Sequence, residues 1–96
     1  MLFRSDGKPA YSAFEGVTLP GGQTLKAVLT EHGISDLHVL GIATDYCVCA
    51  TADDGEAAGF GTTVLEDLCA GVAAQTTQEA LQKMHDNHVH LRDALV

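Results

Sequence analysis

The chain has 96 residues, of which 46% are hydrophobic, and a formal net charge of −8 at pH 7. A chain of this length forms at most one small domain, because folding buries only roughly 60–65% of its unfolded surface. The acidic surplus disfavours nucleic acid and anionic membranes as partners. The sequence has no long apolar run and no signal-peptide core, so we expect a soluble cytoplasmic protein.

Three cysteines, Cys47, Cys49 and Cys69, are an odd number for a disulfide framework in a chain without a secretion signal. We therefore expect reduced thiols. Cys47 and Cys49 are two positions apart on a predicted helix, so they point to different faces and are badly placed to form a disulfide. Cys49 and Cys69 are interpreted as packing residues.

The first 22 residues contain both prolines of the chain and are predicted to be mainly loop. Residues 23–96 are predicted to alternate between helices and strands. Leu25, Val28 and Leu29 recur at helical spacing, which predicts a helix from residue 24 to 33. The mostly apolar run 37–42 is typical of a buried parallel strand.

The next helix is predicted from Tyr46 to about Ala58, with Thr44 or Asp45 as its N-cap. Asp45 is interpreted as a helix cap and dipole partner rather than as a catalytic acid. Gly55 lowers the helix propensity by about 1 kcal/mol. Close packing or a local compromise in the sequence could explain that glycine, and both explanations stay open.

Residues 62–66 are rich in β-branched side chains and predict a second strand. The Thr-Thr-Gln-Glu pattern at 76–79 resembles a capping box and predicts the start of a third helix, which Asn87 ends in a left-handed turn. Residues 89–91 are the predicted last strand. Right-handed crossovers between these elements predict an α/β fragment with about three parallel strands and three helices.

Cys47 is the most informative residue, because it falls where an apolar strand ends and a helix begins. Backbone N–H groups and the positive end of the helix dipole at such a position favour thiolate over thiol. The carboxyl ends of the strands are also where open α/β sheets bind their ligands. The sequence therefore predicts a nucleophilic cysteine.

Four stretches carry a resemblance to a known family: YSAFEG (11–16), GIATDYCV (41–48), TADDGEAAGF (51–60) and VLEDLCAGVAAQTTQEAL (64–81). Together they resemble the C-terminal half of the nicotinamidases, which are isochorismatase-like cysteine hydrolases. The resemblance implies a three-layer α/β/α isochorismatase-like fold, of which residues 1–96 form the C-terminal portion of one domain. Such a fragment leaves an apolar face and a strand edge uncovered, so we expect a homo-oligomer or pairing with the absent N-terminal half.

The resemblance also implies a reaction, in which nicotinamide is hydrolysed to nicotinate and ammonia through a thioester on Cys47, as part of NAD salvage. The backbone N–H groups of Ala43 and Cys47 would form the oxyanion hole, and the peptide bond between Ile42 and Ala43 would be cis. The family's general-base aspartate belongs to the absent half. Arg4 and Lys8 are the two candidates for the position of the family's catalytic lysine.

Three aromatic residues are candidates for contacts with the substrate. The resemblance places Tyr11 and Phe14 on one wall of the pocket and Tyr46 at its edge, where its ring could stack on a pyridine. A second interpretation is that Tyr11 and Phe14 only anchor the loop, and that Tyr46 packs on a neighbouring residue.

The five histidines form no strong metal-binding pattern, and we interpret them as solvated or core residues. The resemblance implies a divalent metal such as zinc in the full-length enzyme, with its ligands in the N-terminal half. Two alternative functions stay open. One is hydrolysis of another small amide or a carbamoyl compound, and the other is a non-catalytic fragment that acts only as a folding or oligomerisation module.

Overall fold

The computed structural model describes residues 12–15 and 22–94. The elements in chain order are a 3₁₀ turn (Ala13–Glu15), α1 (Leu25–Glu31), β1 (Asp36–Ile42), a π-helical turn (Thr44–Val48), α2 (Cys49–Ala57), β2 (Gly61–Ala70), α3 (Ala74–Asp86) and β3 (His90–Arg92). Within those ranges, no helix is long and apolar enough to cross a membrane. The predictions for Arg4, Lys8 and Tyr11 lie outside the described residues.

The strands form one parallel sheet in the order β1-β2-β3, which confirms the predicted three-stranded arrangement. β2 is longer than the predicted 62–66. The pairing with β1 runs up to Val39 opposite Val64 and resumes, after an irregularity, with Gly41 opposite Cys69. The extra residues of β2 are accommodated in that irregularity, so the strand continues past the acidic pair that interrupts its apolar pattern.

One face of the sheet carries the core. Its buried cluster is formed by Val48, Cys49, Ala52, Val64, Ala80, Met84 and Val89. Val64, Ala52 and Met84 are completely buried, and full burial of one such valine or methionine side chain contributes about 1.5–3 kcal/mol. Helices α2 and α3 are thus held against β2 by apolar contacts.

The other face of the sheet is open within the described part of the chain. Leu40 is 54% exposed and Ile42 is 76% exposed, although both belong to β1. The side chains of β1 alternate between half-buried and exposed, as a strand with one covered face requires. The predicted uncovered apolar face is therefore present in the described residues.

Helix α1 lies within the predicted range 24–33. Thr24 Oγ1 accepts a hydrogen bond from the N–H of Ala27 at 3.1 Å, which is N-capping geometry. After the last turn, Gly33 takes a φ of 72° and the N–H of Ile34 donates to the carbonyl of Leu29 at 2.9 Å. A glycine suits this left-handed position because it has no Cβ.

Three predicted helix ends are wrong. Ala43, rather than Thr44 or Asp45, stands at the N-cap of the π-helical turn, and no side chain caps the turn. Helix α3 begins at Ala74, two residues before the predicted box, with Ala73 at its N-cap. The left-handed residue after α3 is His88 (φ 71°) and not Asn87 (φ −89°). In the first two cases the polar side chains at 45 and 76 bond to each other across the fold instead.

Gly55 is explained by close packing. A Cβ at this position would lie 3.0 Å from Thr62 Oγ1 and 3.1 Å from Leu37 Cδ1. Both are tighter than ordinary van der Waals contacts, so a side chain would force α2 away from the sheet. The loss of helix propensity at Gly55 thus accompanies a closer approach of α2 to β1 and β2.

Candidate active site

Cys47 lies in the π-helical turn that directly follows the carboxyl end of β1. The peptide bond between Ile42 and Ala43 is cis, which confirms the geometry implied by the resemblance. The carbonyl of Ala43 accepts the N–H groups of Tyr46 and Val48, each at 3.0 Å. The turn therefore closes on Ala43 and keeps the two residues proposed for the oxyanion hole, Ala43 and Cys47, in one backbone unit.

The three thiols lie in different surroundings, and all are free. Cys49 is 6% exposed, its thiol donates to Asp53 Oδ2 at 3.5 Å, and its pKa is raised to about 11 by burial first and by the charge of Asp53 second. Burial also raises the pKa of Cys69. Both are protonated at neutral pH, which fits the packing role predicted for them. Cys47 is half-buried.

Asp45 connects the turn to the start of α3. Its carboxylate accepts the N–H of Val72 at 3.0 Å, the N–H of Ala73 at 3.3 Å and the hydroxyl of Thr76 at 2.5 Å. The hydroxyl of Thr76 and then the N–H of Val72 are the main causes that lower the pKa of Asp45. Asp45 thus binds the segment that leads into α3 and one side chain of its first turn, whereas the sequence predicted a cap for its own helix.

Tyr46 is half-exposed and lies on the α3 side of the turn. It lines an open groove of about 390 Å³ with Asp45, Cys49, Ala50 and Lys83. Cys47 is not among the residues that line this groove. The structure therefore places Tyr46 next to Cys47 in the chain, but in a groove beside Lys83 of α3 that Cys47 does not line.

Phe14 packs at the other end of α2. Its ring centroid lies 6.0 Å from that of Phe60, and a Cβ at Gly55 would be 3.4 Å from the ring. The neighbouring N–H of Ala13 donates to Thr51 Oγ1 at 3.0 Å, so residues 12–15 run alongside the helix. Gly55 is eight residues beyond Cys47, roughly two helical turns. The structure thus does not bring the ring of Phe14 to Cys47.

The partners of Asp45 are the functional residues that the sequence did not indicate. Val72, Ala73 and Thr76 are 27 to 31 positions away, and two of them contribute only backbone N–H groups, which carry no sequence signal. The one available signal was the pattern at 76–79, because a predicted helix start is a place where a carboxylate is favoured.

Metal binding has no support from the described side chains. All five histidines are exposed. His85, His88 and His90 line an open groove with Glu56, but residues 12–15 and 22–94 contain no group of three or more His, Cys, Asp or Glu that could hold a metal ion. The side chains of these residues therefore do not fit a metal ion.

Comparison with known proteins agrees with this geometry. The Isochorismatase domain profile matches residues 3–94. The chain is 48% identical over 82 residues to a nicotinamidase/pyrazinamidase of Mycobacterium tuberculosis, which covers 85% of this chain and 44% of that protein. It is 37% identical over 76 residues to a nicotinamidase of Acinetobacter baylyi, with 36% of that protein covered.

Solved structures give the same result. A pyrazinamidase of Pyrococcus horikoshii in complex with zinc superimposes with a TM-score of 0.79 and 32% identity, covering 90% of this chain and 45% of that one. An L. infantum protein in complex with nicotinate gives a TM-score of 0.78 and 33% identity, covering 90% and 43%. This chain thus spans less than half the length of the relatives it matches. The fold, the turn at Cys47 and the profile match together show that the chain belongs to the isochorismatase family.

Proposed function

We propose that this chain is the nucleophile-bearing part of a nicotinamidase, which hydrolyses nicotinamide to nicotinate and ammonia in NAD salvage. The observation that carries the proposal is the position of Cys47. It is a half-buried thiol in the turn after β1, whereas Cys49 is buried in the core cluster. The identity of 48% with a nicotinamidase/pyrazinamidase supports the choice of substrate.

The reaction would proceed in two steps. The Cys47 thiolate attacks the carboxamide carbon, a C–S bond forms, and the carbonyl electron pair moves to the oxygen, where the N–H groups of Ala43 and Cys47 stabilise it. The carbonyl re-forms and the C–N bond breaks, while the nitrogen takes the proton that the Cys47 thiol gave up to the general base, so that ammonia leaves a thioester. In the second step, water gives a proton to the same base and attacks the thioester, the C–S bond breaks, that proton returns to the Cys47 sulfur, and nicotinate is released.

The aromatic residues take supporting roles in this proposal. Tyr46 is exposed enough to stack on a pyridine ring that enters beside the turn. In this proposal Tyr11 lines one wall of the pocket. Phe14 does not reach the thiol, and its role is to anchor that wall through its contact with Phe60.

The rest of the catalytic machinery would come from polypeptide outside this chain. A general-base aspartate and a divalent metal are expected in the part of the relatives that has no counterpart here. The exposed side chains of Leu40 and Ile42 offer an apolar face on which that part, or a second copy of the chain, could pack. We place the reaction in the cytoplasm, where free thiols such as those at 47, 49 and 69 persist.

The test is ammonia release from nicotinamide by a chimera, in which the unmatched N-terminal part of the M. tuberculosis relative is joined to this chain. We expect activity in the chimera, loss of activity in Cys47→Ala, and retained activity in the matched control Cys49→Ala. A substrate panel of small amides and carbamoyl compounds on the same protein tests the choice of nicotinamide.

Two results would overturn the proposal. One is a folded chimera that releases no ammonia from nicotinamide, and the other is a Cys47→Ala variant that is as active as its parent. Activity on another amide in place of nicotinamide would keep the cysteine hydrolase and reject the substrate.

A further inference from the structure

A single carboxylate binds the Cys47 turn to a distant part of the chain. Three donors from the segment Val72–Thr76 converge on Asp45, at distances between 2.5 and 3.3 Å. Two of them are backbone N–H groups and one is a hydroxyl, so both carboxylate oxygens are engaged. Hydrogen bonds to an ionised acceptor are stronger than neutral ones.

The segment before α3 is built to reach that carboxylate. Gly71 passes so close to α3 that a Cβ there would lie 2.9 Å from Thr77 Cβ, and closer still to the Thr77 hydroxyl oxygen. A side chain at 71 would therefore displace the segment that carries the Val72 and Ala73 N–H groups. This close approach is an observation separate from the hydrogen bonds themselves.

The carboxyl end of the turn is anchored by Val48, which is buried in the core cluster. Its amino end has no side-chain cap, and the N–H groups of Tyr46 and Val48 donate to the carbonyl of Ala43. Asp45 is two residues before Cys47, so any shift of Asp45 also moves the backbone that presents the thiol. The carboxylate is thus placed to decide how rigidly that backbone is held.

We propose that Asp45 is a positioning residue, which holds the Cys47 thiol and the nearby backbone N–H groups in their reactive arrangement by anchoring the turn to Val72–Thr76. The inference rests on the proposed function, because it assigns no separate chemistry to Asp45. Residues of this kind, which hold reacting groups in place, change rates without touching the substrate.

A positioning role and a simple charge effect predict opposite changes in the rate of Cys47 alkylation when Asp45 is replaced. A negative charge close to Cys47 disfavours the thiolate, so removal of that charge alone would speed alkylation of the thiol. If Asp45 acts by positioning, its removal slows alkylation, because the thiolate loses its fixed N–H donors. The direction of the change therefore separates the two roles.

The experiment measures the rate of Cys47 alkylation by iodoacetamide between pH 6 and 10, with the modified residue identified by mass spectrometry. The variants are Asp45→Asn and Thr76→Val, with Thr76→Ser as the matched control that keeps the hydroxyl. We expect Asp45→Asn and Thr76→Val to be slower by roughly tenfold at pH 7.5, as for loss of a hydrogen bond to a charged group. Their pH profiles should shift upward, whereas Thr76→Ser should match the parent chain.

Circular dichroism melting on the same samples shows whether each variant is folded. A variant that melts earlier but keeps the parent pH profile would assign Asp45 a structural role only and overturn the proposal. Faster alkylation in Asp45→Asn, with no change in Thr76→Val, would also overturn it. Should Asp45→Asn not fold, the pair Thr76→Val and Thr76→Ser decides alone, because Asp45 keeps its charge in both.

Gly71→Ala is an independent variant, far from the carboxylate in sequence. It should slow Cys47 alkylation in the same direction as Asp45→Asn, because it displaces the two N–H donors. None of these readouts uses nicotinamide. Failure of the chimera to release ammonia would therefore reject the proposed function, while an unchanged thiol profile would reject the role of Asp45.

Discussion

The π-helical turn and helix α2 are consecutive in the chain but face different surroundings. In the turn, Cys47 is half-buried and Tyr46 is exposed to solvent. In α2, Cys49 and Ala52 are buried in the cluster that holds the helix on the sheet. Two cysteines that are two positions apart thus lie in different surroundings, and we propose chemistry for the first and packing for the second.

The surroundings of Cys49 show that burial can outweigh a position near the start of a helix. Both cysteines are near the start of a helical segment, where backbone N–H groups favour a thiolate. At Cys49, burial and the neighbouring Asp53 outweigh that effect and raise the pKa to about 11. The following predictions test whether the two regions can be perturbed separately.

The largest expected effect is on the buried cluster that packs α2 against the sheet. Met84→Ala removes a completely buried side chain from the cluster that contains Cys49 and Ala52. We expect the free energy of unfolding to fall by about 2–5 kcal/mol. Denaturant titration measures the change, with Leu40→Ala on the open face as the control that should lose far less. Equal losses in both variants would contradict the assignment of the core to one face.

The second prediction compares the thiols directly. A pKa of about 11 instead of 9.0 leaves Cys49 with on the order of a hundredfold less thiolate at neutral pH than an ordinary thiol. Cys47 should therefore be alkylated first. Residues 27–82 contain no Lys or Arg, so one tryptic peptide that ends at Lys83 carries all three cysteines, and its fragment ions locate the label. Equal labelling of Cys47 and Cys49 in the folded chain would contradict the comparison.

A third prediction concerns alkaline pH. Because the pKa of Cys49 is raised in the folded state, its contribution to stability is fully present below the unfolded pKa near 9 and is lost as the pH rises through about 11. The urea concentration at the midpoint of unfolding should therefore decrease as the pH is raised from 8 to 11. Cys49→Ala should show a smaller decline, and an identical decline would assign it to other groups.

The smallest expected effect is the loss at acid pH of the stability that Asp45 contributes through the π-helical turn. The pKa of Asp45 is lowered, so its stabilising contribution is present above the ordinary carboxyl value of 3.8 and is lost as the pH falls through the lower, folded value. The stability gap between the parent chain and Asp45→Asn should close in that acid range. A gap that stays constant down to pH 2 would show that protonation of Asp45 does not control the contact.

The sequence was sufficient for features that depend on local pattern. The spacing of apolar residues predicted α1, and the apolar run 37–42 predicted β1 almost to its ends. The resemblance supplied the cis peptide before Ala43. These features need only neighbouring residues, or a motif that spans a few positions.

Features that depend on tertiary contacts were not predictable in the same way. Asp45 is of a residue type that often caps its own helix, but its hydrogen-bond partners lie between Val72 and Thr76. Helix α3 consequently begins earlier than its polar pattern indicates. Phe14 was assigned to the pocket by resemblance, and its contacts with Phe60 and α2 could be seen only in the folded chain.

The assignment of Cys47 as nucleophile is tested most directly by trapping the acyl intermediate. The chimera would be mixed with nicotinamide, quenched in acid and digested with a Glu-specific protease, which cleaves at Glu56 and Glu66 and so separates Cys69 from the other two cysteines. We predict a nicotinoyl thioester on Cys47 and none in Cys47→Ala. A thioester on Cys49 or Cys69, or continued turnover in Cys47→Ala, would contradict the account.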